Sequence, residues 1–177
     1  MGHYFRTYTD RKVDLFEPKT TEISIFDIAR SLSQQCRFLG HTTRFYSVAQ
    51  HSILVSQLVP NEDALWGLLH DASEAYTGDL PRPFKGLPEM VQYRIAEVRL
   101  MLTICDRYSL RPEMPRSVEL ADRAMLATEF RDVTTMTDLD WIKNECGLAP
   151  LPSLKIEPWL PKMAETRFLD RFTELTA

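Results

Sequence analysis

The stretch "WGLLHDASEAYTGDLPRPFK", residues 66–85, places His70 and Asp71 side by side within an otherwise apolar segment. Apolar side chains from Leu65 to Leu69 precede the pair with the spacing expected for the inner face of a helix. A carboxylate buried among leucines without a partner is strongly unfavourable, so Asp71 requires a cation nearby. The stretch therefore predicts a helix that carries a polar site toward the core.

The composition is that of a globular domain, with 44% hydrophobic and 26% charged residues in a chain of 177. We expect a single domain over residues 1–177. The net charge of −4 gives no general attraction to a nucleic acid polymer or to a membrane surface, and we expect neither as a partner. Three widely spaced cysteines, no signal-like segment and no membrane-spanning run favour reduced thiols and a cytoplasmic location.

Helical periodicity dominates the chain after Pro18, so the predicted class is all-α. Ser24 and Asp27 have the spacing of a capping box at the start of the first helix. Residues 4–16 read as a possible short β-hairpin, and the proline-rich residues 138–161 read as irregular. The expected helices cover residues 24–39, 47–59, 62–76, 88–108, 118–134 and 162–175.

Two other predicted helices also turn one polar residue toward apolar neighbours, namely His51 and Asp122. Polar side chains that project inward from several helices can form a metal site in the core of a bundle. With His70 and Asp71 they provide two imidazoles and two carboxylates, a set that suits Zn²⁺, Co²⁺, Mn²⁺ or Mg²⁺. An ion pair between Asp122 and a basic residue of another helix is the alternative, and the residues alone leave both open.

The histidine and aspartate spacing, together with the string "HDASEAYTGDLPRPFK", resembles the HD-domain metal-dependent phosphohydrolases. Within that superfamily it is similar to the 5′-deoxynucleotidase branch and to the small phage dATP triphosphohydrolases. The strings "RFLGHTTRFYSVAQHS" and "ELADRAMLATE" resemble the same group, so the similarity covers roughly residues 20–130. The resemblance implies a helical HD-domain bundle. It also implies that the divalent metal ligands are His51, His70, Asp71 and Asp122.

The resemblance also implies roles around the metal. Glu74 matches the catalytic acidic residue that positions or deprotonates water, and Asp79 matches a second acidic residue near the reaction centre. Lys85 matches a phosphate-contacting lysine. Arg37 and Phe38 stand where this branch has an arginine–aromatic pair that holds the nucleotide, although the branch has tryptophan in place of Phe38.

The function implied by the resemblance is hydrolysis of deoxynucleotides, with dATP cleaved to deoxyadenosine and triphosphate as the preferred reaction. A 5′-deoxynucleotidase acting on deoxynucleoside monophosphates is one alternative, and a catalytically silent nucleotide-binding module is another. A triphosphate needs extra cations, which Arg44, Arg82, Lys85 and Arg94 could supply. His41 either contacts substrate or makes a structural hydrogen bond. The resemblance further implies a homo-oligomer, located in the host cytoplasm if the protein is phage-encoded.

Overall fold

The computed structural model describes residues 4–177, so residues 1–3 of the predicted domain lie outside the described part. The described chain is mostly helical and begins with a two-stranded hairpin, which confirms the predicted all-α class and the hairpin. Strand β1 (Tyr4–Arg6) pairs antiparallel with β2 (Lys12–Asp14).

The α-helices follow the hairpin, and short 3₁₀ turns lie between several of them. In chain order they are α1 (Ile25–Gln34), α2 (Val48–Leu58), α3 (Ala64–Leu69), α4 (Glu74–Thr77), α5 (Arg82–Lys85), α6 (Val91–Arg107), α7 (Arg116–Val133), α8 (Leu139–Cys146) and α9 (Pro161–Thr176).

Helix α2 is the central element, because it packs against α1, α3, α7 and α9. Most residues of α2 are buried, and they lie on all sides of the helix, as expected for a helix enclosed by other helices. His51 is the fourth of the 11 residues of α2, and its side chain is fully buried. A polar ring at the centre of the molecule must therefore be satisfied by groups that the surrounding helices supply.

The first helix is shorter than predicted, because α1 ends at Gln34 instead of continuing to residue 39. Helix α1 ends there because the residues after it form backbone hydrogen bonds with the segment just before α2. Cys36 forms an isolated antiparallel bridge with Ser47, and the backbone N–H of Arg37 donates to the Tyr46 carbonyl at 2.9 Å. The chain leaves the helical path to make these bonds and then forms a 3₁₀ turn over Arg37–Gly40.

The predicted capping box is wrong, although Ser24 does precede the first residue of α1. The Ser24 side chain makes no capping hydrogen bond. The Asp27 carboxylate instead accepts hydrogen bonds of 2.8 Å from the Thr7 hydroxyl and 2.7 Å from the Thr9 backbone N–H. Asp27 thus attaches the N-terminal hairpin to α1.

The third predicted helix is also interrupted, because α3 ends at Leu69 and α4 begins only at Glu74. Between them the backbone makes tight i→i+3 hydrogen bonds, such as Ala72 N–H to the Leu69 carbonyl at 2.9 Å. His70 and Asp71 therefore lie in a turn between two short helices. The tighter turn, rather than one continuous helix, sets the direction of both side chains.

The expectation of irregular structure over residues 138–161 is wrong for its first part, which forms α8. Asp138 caps this helix, since its side chain accepts from the Trp141 N–H at 2.9 Å. Gly147 follows the last residue with a φ of +71°, the left-handed conformation typical of a helix end. Within the described residues 148–160, the chain forms neither helix nor strand.

No helix in the described part of the chain has the length and apolar composition needed to cross a lipid bilayer. Cys36, Cys105 and Cys146 are free thiols, as the sequence predicts.

Substitution Gly67→Ala should lower the thermal midpoint of unfolding. A Cβ at this position would lie 3.0 Å from the Ser56 Cα, so α2 and α3 would have to separate. Overpacking of this kind costs about 1–3 kcal/mol. Gly86→Ala is the control, because its new Cβ would lie no closer than 3.5 Å to its neighbours and its φ of −74° suits alanine. Thermal unfolding followed by circular dichroism measures both, and equal midpoints would contradict the prediction.

Candidate metal centre and adjoining cleft

Three of the predicted metal ligands converge at the centre of the molecule and could hold a metal ion. The Nε2 atoms of His51 and His70 lie 3.2 Å apart. The Asp71 Oδ2 atom lies 3.2 Å from the His70 Nε2 and 3.6 Å from the His51 Nε2. Both imidazoles are buried, so the cluster lies inside the protein.

Hydrogen bonds on the far side of each ring fix which nitrogen carries the proton. The His70 Nδ1 lies 2.8 Å from the Gly67 carbonyl oxygen, and the His51 Nδ1 lies 2.6 Å from the Glu129 Oε1. A carbonyl and an ionised carboxylate only accept hydrogen bonds, so each Nδ1 is the donor. The two Nε2 lone pairs consequently face each other and require a positive species between them.

A proton and a metal ion compete for that position. Burial and the Arg37 charge disfavour the protonated imidazole, but the Glu129 charge and the hydrogen bonds to Asp122 and Glu129 together outweigh them and raise the pKa of His51 to about 9. A metal ion binds only the unprotonated nitrogen, so metal binding at this centre releases a proton.

The residues fit a divalent ion by donor type and by spacing. Metal–ligand bonds of about 2.0–2.2 Å place neighbouring donors about 3–3.5 Å apart. The donor separations among His51, His70 and Asp71 are 3.2, 3.2 and 3.6 Å. Two imidazoles with a carboxylate form a ligand set suited to first-row divalent metals.

Asp122, the fourth predicted ligand, reaches both the cluster and a basic residue. Its Oδ1 lies 3.3 Å from the His51 Nε2, and its Oδ2 lies 3.3 Å from the Arg82 Nη2. Burial opposes ionisation of Asp122, yet its hydrogen bond to His51 and the charges of His51 and His70 together hold its pKa at about 2. Because the Arg82 side chain is 73% exposed, the ion pair with Asp122 contributes little stability.

Glu129 is the site residue that the sequence analysis does not identify. Its fully buried carboxylate accepts from the Tyr46 hydroxyl at 2.9 Å, as well as from His51. Carboxylates that hydrogen-bond a ligating histidine orient the ring and increase its basicity. The available signal is its position seven residues after Asp122 on α7, which puts both carboxylates on one helix face.

Arg37, predicted to hold the nucleotide, is engaged inside the protein. Its Nε and Nη2 donate to the Glu129 Oε2 at 3.2 and 3.0 Å, and its Nη1 lies 3.7 Å from the Asp71 Oδ2. Only 12% of the side chain is exposed. Burial disfavours its charge, but the carboxylates of Glu129 and Asp71 more than compensate and raise the pKa of Arg37.

The predicted catalytic residue Glu74 lies in the same region, with Lys85 beside it. The Lys85 Nζ donates to the Glu74 Oε1 at 2.9 Å and to the Glu97 Oε1 at 2.6 Å. The Glu74 Oε2 is buried and has no hydrogen-bond partner among the described residues. Burial, followed by the charges of Asp71 and Asp79, raises the pKa of Glu74 to about 8.

A cleft of about 480 Å³ adjoins these side chains, a size within the range of small-molecule sites. Asp79 lies in its wall, and the Asp79 backbone N–H donates to the Gln35 Oε1 at 2.9 Å. Phe38 lines the cleft too, with its ring centroid 5.2 Å from that of Phe130. The predicted site residues found in the cleft wall are Arg37, Phe38, Asp71, Glu74, Asp79, Lys85 and Asp122.

Comparison with known proteins gives relatives but no family model that matches the chain. The sequence is 39% identical to the uncharacterized protein YfdR of Escherichia coli over 173 residues, covering 98% of this chain and 96% of the relative. It is 34% identical to an uncharacterized protein of Rhodobacter capsulatus over 148 residues, covering 76% of this chain and 75% of that protein.

Substitution Glu129→Gln should weaken metal binding about 10- to 100-fold, as is typical when the hydrogen-bond partner of a ligating histidine is altered. The amide removes the charge that supports His51 and leaves the buried Arg37 without its main counter-ion. Titration of the metal-free protein with Mn²⁺ or Co²⁺ by calorimetry measures the change.

Glu165→Gln is the matched control for that titration. Glu165 is also buried and is paired with an arginine, Arg30, at 3.2 Å, but it lies on α9. Its substitution should leave the metal affinity within about twofold of the original. Equal affinities for both variants and the unchanged protein would refute the role of Glu129.

Proposed function

The chain belongs to the family of YfdR, and we propose that it is a divalent-metal-dependent phosphohydrolase of deoxynucleotides. The observation that carries the proposal is the convergence of the two imidazole Nε2 atoms and the Asp71 carboxylate at the edge of a ligand-sized cleft. The resemblance of the string from His70 to Lys85 to the HD-domain phosphohydrolases gives the reaction class.

The proposed metal ligands are His51, His70, Asp71 and Asp122, and the ion is Zn²⁺, Co²⁺, Mn²⁺ or Mg²⁺. Such an ion supplies Lewis-acid chemistry, because it lowers the pKa of water and offsets charge on phosphoryl oxygens.

Glu74 is the proposed general base. Its buried Oε2 has no hydrogen-bond partner among the described residues, so it is the Glu74 oxygen that would take the proton from the attacking water. Lys85 holds the other oxygen and thereby fixes the carboxylate in place. Asp79, from the same cleft wall, is proposed to orient the attacking water together with Glu74.

The proposed substrate is dATP, cleaved by water to deoxyadenosine and triphosphate, and it rests on the resemblance to the small phage enzymes. Phosphate charge is met in the cleft by Arg37, Arg82 and Lys85. One observation favours the 5′-deoxynucleotidase alternative. Arg37, Lys85 and Arg82 are each paired with a carboxylate, but the Arg37 and Lys85 side chains are mostly buried, whereas Arg82 is exposed and is the most accessible of the three to a phosphate group.

Asp71→Ala and Glu74→Gln should separate metal binding from turnover. Asp71→Ala removes a ligand and should abolish both stoichiometric metal binding and activity. Glu74→Gln should retain the metal while kcat falls about 100- to 10,000-fold, the usual contribution of a general base. Metal content by elemental analysis and product release by chromatography measure the two effects. Stoichiometric metal in the Asp71 variant would show that the ligand assignment is wrong.

A panel of nucleotides should identify the substrate. The four dNTPs, their ribonucleotide counterparts and the dNMPs are incubated with Mn²⁺, Co²⁺ or Mg²⁺, and again after EDTA treatment. Triphosphate released from dATP, and lost with EDTA, is the expected result. Inorganic phosphate released from dNMPs would instead identify a 5′-deoxynucleotidase. Binding of nucleotides without any product would identify the catalytically silent module.

A further inference from the structure

A second cavity, of about 380 Å³, lies directly beside the cleft. The two spaces share a wall, because Phe38, Leu39, Pro81 and Phe130 line both of them. A ligand that fills the cleft can therefore extend past this wall into the second cavity.

The two spaces differ in charge. The cleft wall includes Asp71, Glu74 and Asp79 along with basic side chains. The second cavity has no carboxylate, lysine or arginine among its lining residues within the described chain, and its exposed surface is mostly apolar. We propose that this second cavity, termed the base cavity below, binds the nucleobase of the substrate whose phosphate end occupies the cleft. The inference rests on the proposed function, since it assumes a nucleotide in the cleft.

A nucleotide has the polarity that this arrangement requires. Its phosphate groups are anionic and suit a cleft with a metal centre and cations, whereas its base is a flat, uncharged ring. Aromatic and apolar side chains bind such rings by stacking and burial. Phe38 and Phe130 provide aromatic surface at the boundary between the two spaces.

The base cavity also contains a residue that can read the edge of a base. His41 lines it, and a neutral imidazole offers one hydrogen-bond donor and one acceptor. Thr135, an exposed residue from the segment after α7, lines it as well. This position gives His41 a role in substrate binding, one of the two interpretations that the sequence leaves open.

The backbone of the shared wall supports a binding role. Phe38 and Leu39 have φ values of +55° and +52°, a conformation that residues other than glycine adopt rarely. The flanking hydrogen bonds hold it, with Arg37 N–H donating to Tyr46 and His41 N–H donating to Phe38, both at 2.9 Å. Strained backbone of this kind is concentrated at ligand-binding sites. The strained turn places both side chains between the two spaces.

Filling the base cavity tests the proposal. Thr135→Trp and His41→Trp each put a large ring at an exposed lining position. Each should weaken binding of deoxyadenosine at least about tenfold, while Mn²⁺-dependent binding of inorganic triphosphate stays within about twofold. Thr137→Trp is the matched control, because Thr137 is exposed and close in sequence but does not line the base cavity; it should alter neither ligand. NMR titration and calorimetry measure the dissociation constants.

The outcomes separate this inference from the proposed function. Unchanged deoxyadenosine affinity in both tryptophan variants, an equal loss of both ligands, or no deoxyadenosine binding by the unchanged protein would overturn the base cavity. Each of these results can occur while the unchanged protein still hydrolyses nucleotides. Failure of the proposed function appears instead as the absence of product from every nucleotide in the panel.

Discussion

One buried carboxylate, Glu129, determines the arrangement of the centre of this protein. It is fully enclosed and accepts hydrogen bonds from His51, Tyr46 and Arg37, so all its acceptor capacity is directed at these groups. An ionised group in this position is tolerated only because its partners are complete. The same bonds join α7 to α2 and to the turn that carries Arg37, which means that the histidine, the arginine and the turn are fixed together.

The hydrogen bonds of Glu129 therefore hold both the metal centre and the apolar wall between the cleft and the base cavity. On one side of Arg37, the network orients the His51 ring toward His70 and Asp71. On the other side, the residue after Arg37 begins the left-handed turn at the wall between the cleft and the base cavity. In the proposed reaction, the same buried group would therefore influence both the metal centre and the position of the nucleotide.

The sequence predicts those site residues whose polarity differs from that of the neighbouring residues in the chain. His51, His70 and Asp71 are detectable because they are polar residues within apolar segments of the sequence, and the structure brings them together. Glu129 carries no comparable signal, since it is one acid in a segment of mixed polarity. The early end of α1 depends on a bond from Arg37 to Tyr46, nine residues away, which local periodicity does not register. Helix α8 had local signals in Asp138 and Gly147, but its eight residues are too few for a clear period.

Helix α7 contributes both Asp122 and Glu129, one beside the candidate metal position and the other behind the His51 ring. Their interval of seven residues is close to two helical turns. The helix therefore fixes the spacing between the carboxylate beside the candidate metal position and the carboxylate that hydrogen-bonds His51. A single inserted or deleted residue between them would rotate one carboxylate by about 100° away from the shared face. A change in the length of this interval of α7 would therefore separate the two carboxylates.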